Sequence, residues 1–112
     1  MVRIATKNEL LPGTLEMLIL QTLTRGAMHG YGIAQQIQEI SDEILQVEEG
    51  SLYPALQRLL VKGWVKAEWG KSENNRRARY YTLTRSGKKQ LGVEQENFKR
   101  MIAAIARVME PA

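Results

Sequence analysis

Residues 49–63 constrain the fold more than any other stretch, because they combine a helical apolar stripe with a proline and a closing glycine. Pro54 has no N–H to donate, and its ring collides with the carbonyl four residues earlier, so it predicts a first-turn position. The helix is therefore expected to begin near residue 50, with Ser51 as its N-cap, and to end at Gly63. Its N-terminal tip suits contact with a phosphate or a base edge, although any buried helix of a small domain shares these features. The apolar stripe, expected to face a core, comprises Leu52, Leu56, Leu59 and Leu60.

Length and composition bound the possible functions. A chain of 112 residues is one domain, or one domain with an appendage. The single histidine, His29, and the absence of cysteine exclude a histidine cluster and a thiolate metal site. No Ser, His and carboxylate trio can be assembled, so no cofactor, metal or enzymatic activity is expected. The lack of cysteine fits a cytoplasmic location, and the longest apolar stretch, residues 15–23, is too short to cross a membrane.

The charge is distributed unevenly along the chain. Residues 1–57 carry three basic and seven acidic side chains, whereas residues 58–89 carry ten basic and two acidic ones. Such asymmetry predicts a polyanionic partner that meets one part of the molecule. A membrane surface is the weakest alternative, because the basic block has strand and turn signals rather than a basic amphipathic helix.

Two further helices are expected before residue 49. The first spans residues 15–24, with Thr14 as its N-cap and Gly26 as its stop, and the second spans residues 31–41. The residues expected to face the core in these two helices are Leu15, Leu18, Ile19, Leu23, Ile33, Ile37 and Ile40.

After Gly63 the apolar period changes from helical to two. Residues 64–69 and 79–83 predict two strands, joined by a polar loop at 70–78 that is too long for a tight hairpin. Three helices followed by a basic hairpin predict a mainly α fold with a small antiparallel β-hairpin, the winged helix-turn-helix.

The aromatic residues around the hairpin are expected to be structural. Trp64 and Trp69 are expected to lie in the core, the usual location for tryptophan. Tyr80 and Tyr81 are interpreted as core and strand-pair residues, because successive strand positions point to opposite faces. His29 is interpreted as a loop residue that satisfies a neighbour.

Thr84 is expected to cap a last helix, whose apolar pattern becomes regular from Gln90 onward. Over about 27 Å this pattern follows a single seam without an obvious partner in the chain, which predicts a two-fold homodimer. The expected division is a winged helix-turn-helix DNA-binding domain at residues 1–84 and a dimerisation helix at residues 85–112. The seam comprises Leu91, Phe98, Met101, Ile102, Ile105, Val108 and Met109.

Four motifs occur in order along the chain: Pro12–Leu15, His29–Ile33, Gly50–Leu59 and Arg76–Thr84. From about residue 10 to residue 90 they resemble the PadR family of bacterial transcriptional regulators, in its short form with one C-terminal helix. The resemblance implies a homodimeric winged-helix repressor bound to double-stranded DNA. It also implies that some members are released by phenolic or drug-like ligands.

The residues expected to contact DNA fall into three groups. The recognition helix offers its major-groove side, the wing tip offers basic side chains to the backbone or a narrow minor groove, and Tyr31 resembles the family residue that contacts phosphate. A basic loop on its own is just as often a solvated turn, and the helix-turn-helix pattern before it favours the DNA interpretation. Besides Tyr31, the candidates are Ser51, Tyr53, Gln57 and Arg58 in the helix, and Asn75, Arg76, Arg77 and Arg79 in the wing.

The resemblance also suggests a flat aromatic ligand held between the two final helices, where relatives stack it on tryptophan. Phe98 stands at that position here, and Met101 is close enough to line the same space. Phenylalanine offers a weaker quadrupole and no N–H, so cationic dyes are expected to bind only weakly. The simpler interpretation is that both residues fill the dimer core. The alternative to a DNA-binding regulator is a winged-helix module that contacts another protein.

Overall fold

Four helices and a three-stranded antiparallel sheet form residues 12–111, the part of the chain that this computed structural model describes. The helices are α1 (Pro12–Thr22), α2 (Gly30–Ile40), α3 (Glu49–Val61) and α4 (Arg85–Met109), and a 3₁₀ turn at Leu23–Arg25 extends α1. The strands are β1 (Met28–His29), β2 (Val65–Lys71) and β3 (Arg77–Leu83), in the order β1-β3-β2. The predicted fold class is confirmed, with one strand more than expected. Residues 1–11, assigned above to the first domain, lie outside the described residues.

The core lies between the first three helices and the inner face of the sheet. α1 packs against α2, α3 and the start of α4, which places it at the centre of the molecule. Among the predicted core positions of these helices, Ile40 is wrong, because it is 57% exposed at the end of α2. Leu18 and Leu60 are only half-buried, although both pack against the core. The largest fully buried side chains are Ile19, Leu20, Ile33, Leu52, Leu56 and Leu59.

The recognition helix α3 begins earlier than its proline suggested. Glu48 is the N-cap, so Ser51 is the third helical residue and the predicted Ser51 cap is wrong. Pro54 is the sixth residue and lies in the second turn, not the first. The bond that proline cannot make would go to the carbonyl of Gly50, and because Gly50 is exposed, water can satisfy that carbonyl instead.

The end of α3 follows the prediction. Gly63 adopts a left-handed conformation with φ of 75°. The Gly63 N–H donates to the Leu60 carbonyl at 3.0 Å, and the Trp64 N–H donates to the Leu59 carbonyl at 3.0 Å. This paired arrangement is the Schellman motif, which reverses the chain directly into β2.

The first two helices also begin earlier than predicted. α1 starts at Pro12, whose fixed φ suits a first turn, so Thr14 lies inside the helix and is not the N-cap. α2 starts at Gly30, and the His29 Nδ1 atom accepts from the Gly32 N–H at 3.0 Å. His29 thus satisfies a neighbour, as expected, but it lies in β1 and caps α2 and is not a loop residue.

The hairpin is longer and its turn tighter than predicted. β2 and β3 pair from Val65↔Leu83 to Lys71↔Arg77, so the expected nine-residue loop at 70–78 is wrong and five residues separate the strands. The Ser72 N–H donates to the Arg76 carbonyl at 2.8 Å, and the Asn75 N–H to the Ser72 carbonyl at 2.9 Å. Asn75 closes the turn with φ of 59°, a conformation that asparagine tolerates better than most residues.

Within residues 12–111, α4 contacts the body of the molecule through its N-terminal half. The Thr84 hydroxyl accepts from the Gly87 N–H at 3.0 Å, which confirms the predicted cap. Leu91 is 5% exposed and belongs to the core, so its assignment to the dimer seam is wrong. The Gln95 amide donates to the Gln21 side chain at 2.6 Å. Beyond Gln95 the helix extends outward, and the longest dimension of the chain is 57 Å.

Candidate nucleic-acid interface

An open cleft of about 660 Å³ separates the N-terminus of α2 and the tip of α3 from the β2–β3 wing. It gathers residues that are far apart in sequence, including five of the nine predicted DNA contacts, whereas Ser51, Gln57, Arg58 and Asn75 do not line it. The lining residues are His29, Gly30, Tyr31, Gln35, Tyr53, Trp69, Ser72, Glu73, Asn74, Arg76, Arg77, Ala78, Arg79 and Tyr81.

The wing side of the cleft is a continuation of the core face of the sheet. Side chains on that face alternate along β2 as Val65, Ala67 and Trp69, and Trp69 pairs with Arg79 on β3. Val65 is buried, whereas Trp69, about 13 Å further along the strand, is 60% exposed. The sheet therefore extends past the helices that cover its base. The prediction that Val65, Ala67 and Trp69 share one face of β2 is confirmed. The predicted core location of Trp69 is wrong, because the helices do not cover that end of the sheet.

Two tyrosines form the opposite wall. Tyr31 projects from the first turn of α2 and is 68% exposed, while Tyr53 of α3 is 46% exposed. The Tyr53 ring lies against Gly30 so closely that a Cβ atom there would be 2.8 Å from the Tyr53 hydroxyl oxygen. Partial burial, and then the nearby Glu49 carboxylate, raise the pKa of Tyr53. Its hydroxyl therefore remains a hydrogen-bond donor at neutral pH.

The floor of the cleft is the N-terminus of α2. No acidic residue occupies the first turn of this helix, so the partial positive charge of the helix N-terminus is not offset by a carboxylate there, although the Gly32 N–H is already bound to His29 Nδ1. The N-terminus of α3 differs, because Glu48 and Glu49 are exposed beside it. Those carboxylates disfavour a phosphate at the tip of α3 and favour a base donor such as the cytosine amino group.

The wing presents its arginines in two ways. The Arg77 guanidinium carbon lies 4.5 Å from the centre of the Trp69 ring, and that of Arg79 lies 6.0 Å from the centre of the Tyr81 ring. Arg76 is in the turn, next to Asn75, and is exposed. The charge pattern of the sequence located these arginines. It did not predict that Trp69 would be exposed beside them.

The outer face of α3 is partly engaged by α1. Gln57 is exposed, and Ser51 is half-buried near the start of the helix. The Arg58 Nε atom lies 3.5 Å from one carboxylate oxygen of Glu16, and the Lys62 Nζ atom lies 3.3 Å from the other. The sequence analysis did not identify this pairing, because the partners are 42 and 46 positions apart.

The projecting part of α4 carries a continuous apolar face. Val93, outside the predicted seam, is 49% exposed on the same helix. The seam residues exposed on this chain are Phe98, Met101, Ile102, Ile105, Val108 and Met109.

Other kinds of site find little support in the described part of the chain. Between residues 12 and 111, no three histidine, aspartate or glutamate side chains are grouped to hold a metal ion. No helix in the same region is long and apolar enough to span a membrane.

Comparison with solved structures gives the same architecture. A transcriptional regulator from Clostridium thermocellum is 28% identical with a TM-score of 0.81, over 88% of this chain and 95% of that one. A PadR family transcription regulator from Clostridium difficile is 26% identical with a TM-score of 0.74, over 86% and 98%. A PadR-like transcription factor from Bacteroides fragilis is 30% identical with a TM-score of 0.70, over 87% and 91%.

Two sequence relatives extend the comparison. An uncharacterized protein of Lysinibacillus sphaericus is 29% identical over 82 residues, which cover 73% of this chain and 75% of that protein. A 37.1 kDa protein encoded in a transposon of Streptomyces fradiae is 35% identical over 97 residues, which cover 87% of this chain and 26% of that protein.

The family model described as the transcriptional regulator PadR-like family matches residues 19–93, from the core of α1 into α4. That span contains α2, α3, the whole wing and the cleft between them. The family consists of transcription regulators rather than enzymes. With the winged-helix architecture and this match together, the chain belongs to the PadR-like family of transcriptional regulators.

Proposed function

We propose that this protein is a sequence-specific, homodimeric repressor that binds duplex DNA through the cleft face. The observation that carries the proposal is that one cleft is lined by the α2 N-terminus, by Tyr53 from the N-terminal part of α3 and by the arginines of the wing. The negative charge of the DNA backbone attracts the arginines of the wing. The exposed side of α3 is then free to enter the major groove.

Each group has a separate role in this proposal. Tyr31 and the wing residues Asn75, Arg76, Arg77 and Arg79 contact the sugar–phosphate backbone or the minor groove, which sets register and orientation. In α3, Ser51, Tyr53, Gln57 and Arg58 contact base edges in the major groove. Gln57 and Tyr53 are exposed, whereas Ser51 is half-buried and Arg58 is paired with Glu16.

Dimerisation is assigned to the projecting part of α4. The apolar face from Phe98 to Met109 is exposed in the single chain, and two copies of it would exclude water from each other. We propose the same division as the sequence predicted, a DNA-binding domain at residues 1–84 and a dimerisation helix at residues 85–112. Within that helix, Leu91 contributes to its own chain's core and the seam begins at Phe98.

An aromatic or phenolic effector would bind between the paired α4 helices, at Phe98 and Met101. Both side chains are about half exposed on the single chain, so a dimer interface can either bury them fully or leave room for a flat ring. Binding there would change the spacing of the two recognition helices, which couples the effector to DNA affinity.

Selection of bound sequences from a random duplex pool tests the proposal. The expected product is a two-fold symmetric site with half-site centres about one helical turn, about 34 Å, apart. A reporter promoter carrying that site should be silenced by the protein. Failure to enrich any sequence would favour the protein-contact alternative, and activation of the reporter would contradict repression.

A further inference from the structure

Trp69 is an unusually large apolar side chain to be left exposed on a wing. It is 60% exposed and lies on the inner face of the sheet, beyond the region that the helices cover. Exposed apolar residues are common on protein surfaces, so exposure alone assigns no role. The feature that distinguishes Trp69 is the Arg77 guanidinium, 4.5 Å from the ring centre.

The backbone holds the two side chains together. Trp69 pairs with Arg79, and Arg77 pairs with Lys71, so Trp69 and Arg77 are diagonal neighbours on one face of the hairpin. Both belong to paired strands rather than to the turn. Their relative position is thus fixed by the ladder and does not depend on a mobile loop.

The chemistry of the stack leaves the arginine available to DNA. At 4.5 Å from the ring centre, the guanidinium of Arg77 can lie flat on the Trp69 ring, an arrangement in which its five N–H donors lie in its plane and point outward. Phosphate and carbonyl oxygens are bound by that edge. The ring therefore restricts the orientation of Arg77 without occupying its donors, and the cleft lies directly beside it.

We propose that Trp69 is a positioning residue for DNA binding, which stacks on Arg77 and presents the edge of its guanidinium to the DNA backbone. This role rests on the proposed DNA-binding function. Pre-ordering the arginine lowers the entropy that is lost when the contact forms, so the stack increases affinity without adding a contact.

A double-mutant cycle on duplex DNA tests the role. Trp69→Leu removes the quadrupole and keeps an apolar side chain, and it should weaken binding about two- to fivefold per subunit, the range for an exposed cation–π pair. Trp69→Phe should retain most of the affinity. In an Arg77→Ala background, Trp69→Leu should have no further effect.

Arg76 supplies the matched control. It lies in the turn, and the described residues give it no ring contact, so the effects of Arg76→Ala and Trp69→Leu should multiply. An equal effect of Trp69→Leu with and without Arg77 would overturn the positioning role and make Trp69 a direct contact. Parent-like binding by Trp69→Leu would overturn it as well.

A readout without DNA separates the stack from the proposed function. Ring current from Trp69 should move the Arg77 side-chain proton resonances upfield in the free protein, and Trp69→Leu should abolish the shift. Absence of the shift in the parent would overturn the stack. A parent that shows the shift and binds no duplex would instead overturn the proposed function, and the positioning role with it.

Discussion

Glu16 is a single carboxylate on α1 that pairs with cations on and next to the recognition helix α3. It lies on α1 with its side chain 13% exposed, and it meets Arg58 and Lys62, which are 42% and 45% exposed. Because both cations remain well solvated, these pairs contribute only about 0–1 kcal/mol to stability. Their effect on DNA affinity should be larger, since Glu16 holds Arg58 of α3 and Lys62, the residue after it, towards α1 and adds a negative charge beside them.

We expect Glu16→Gln to raise affinity for non-specific duplex DNA. Each cation that becomes free to contact a phosphate should steepen the dependence of log affinity on log salt by about 1. Glu110→Gln makes the same charge change at the far end of α4 and serves as the control. Equal behaviour of the two variants in salt titrations would show that Glu16 does not restrain α3.

Replacing either of two glycines of α4 by alanine should change the stability of the fold, but in opposite directions. A Cβ atom at Gly87 would lie 1.9 Å from the Trp64 carbonyl oxygen, a backbone atom that cannot easily move, whereas at Gly92 it would meet nothing within 4 Å. Gly87→Ala should therefore destabilise the fold by about 2–3 kcal/mol. Gly92→Ala should stabilise it by about 0.5–1 kcal/mol, because alanine loses less backbone entropy in a helix. Urea unfolding measures both, and a neutral Gly87→Ala would refute the close approach of α4 to Trp64.

At the level of secondary structure, periodicity located every helix and both long strands, and local chemistry located the caps at Thr84 and Gly63. The boundaries were less predictable. Pro54 suggested a later start for α3, because the sequence does not reveal that Gly50 is exposed and can leave a carbonyl to water. β1 was missed since two residues, Met28 and His29, are too few to show any period. Its pairing with β3 is a tertiary contact.

The outer face of α3 should determine which sequence is bound. Replacing Gln57 by Ala should relax preference at one or two base pairs of each half-site, at a cost of about 1–3 kcal/mol for the preferred base. Replacing Arg76 by Ala in the wing should instead weaken binding to all sequences alike. Competition assays with single-base variants of the selected site distinguish the two. A uniform loss for Gln57→Ala would make it a backbone contact.

The projecting half of α4 should hold the dimer. Ile105→Asp places a charge in the proposed seam and should cost about 2–4 kcal/mol per subunit, enough to dissociate the dimer at micromolar concentration. Ile105 is 50% exposed on the single chain, so the monomer should remain folded. Ala103→Asp, two positions away and on the opposite side of the helix, is the matched control. Sedimentation that shows an intact dimer for Ile105→Asp would contradict the seam.

For the molecule as a whole, the charge distribution predicted that one part of the chain meets a polyanionic partner, and three arginines of that part, Arg76, Arg77 and Arg79, line the cleft beside the α2 N-terminus. The surroundings of α4 and of the outer part of the wing were not predictable from the sequence pattern. Leu91 has the spacing of the seam but packs in its own core, because α4 first runs along α1 before it leaves the body of the molecule. Trp69 likewise has the spacing of a core strand residue, and its exposure depends on how far the helices cover the sheet.

The salt dependence of duplex binding tests the central claim most directly, with the parent, Arg76→Ala and Arg77→Ala compared on one selected site. For the parent, log affinity should fall linearly with log salt concentration, with a slope of about −0.9 per phosphate contact. Each arginine variant should reduce that slope by about 1 per lost contact, or about 2 for a dimer with both wings engaged. A parent whose affinity is independent of salt, or variants with the parent's slope and affinity, would contradict DNA binding through the wing.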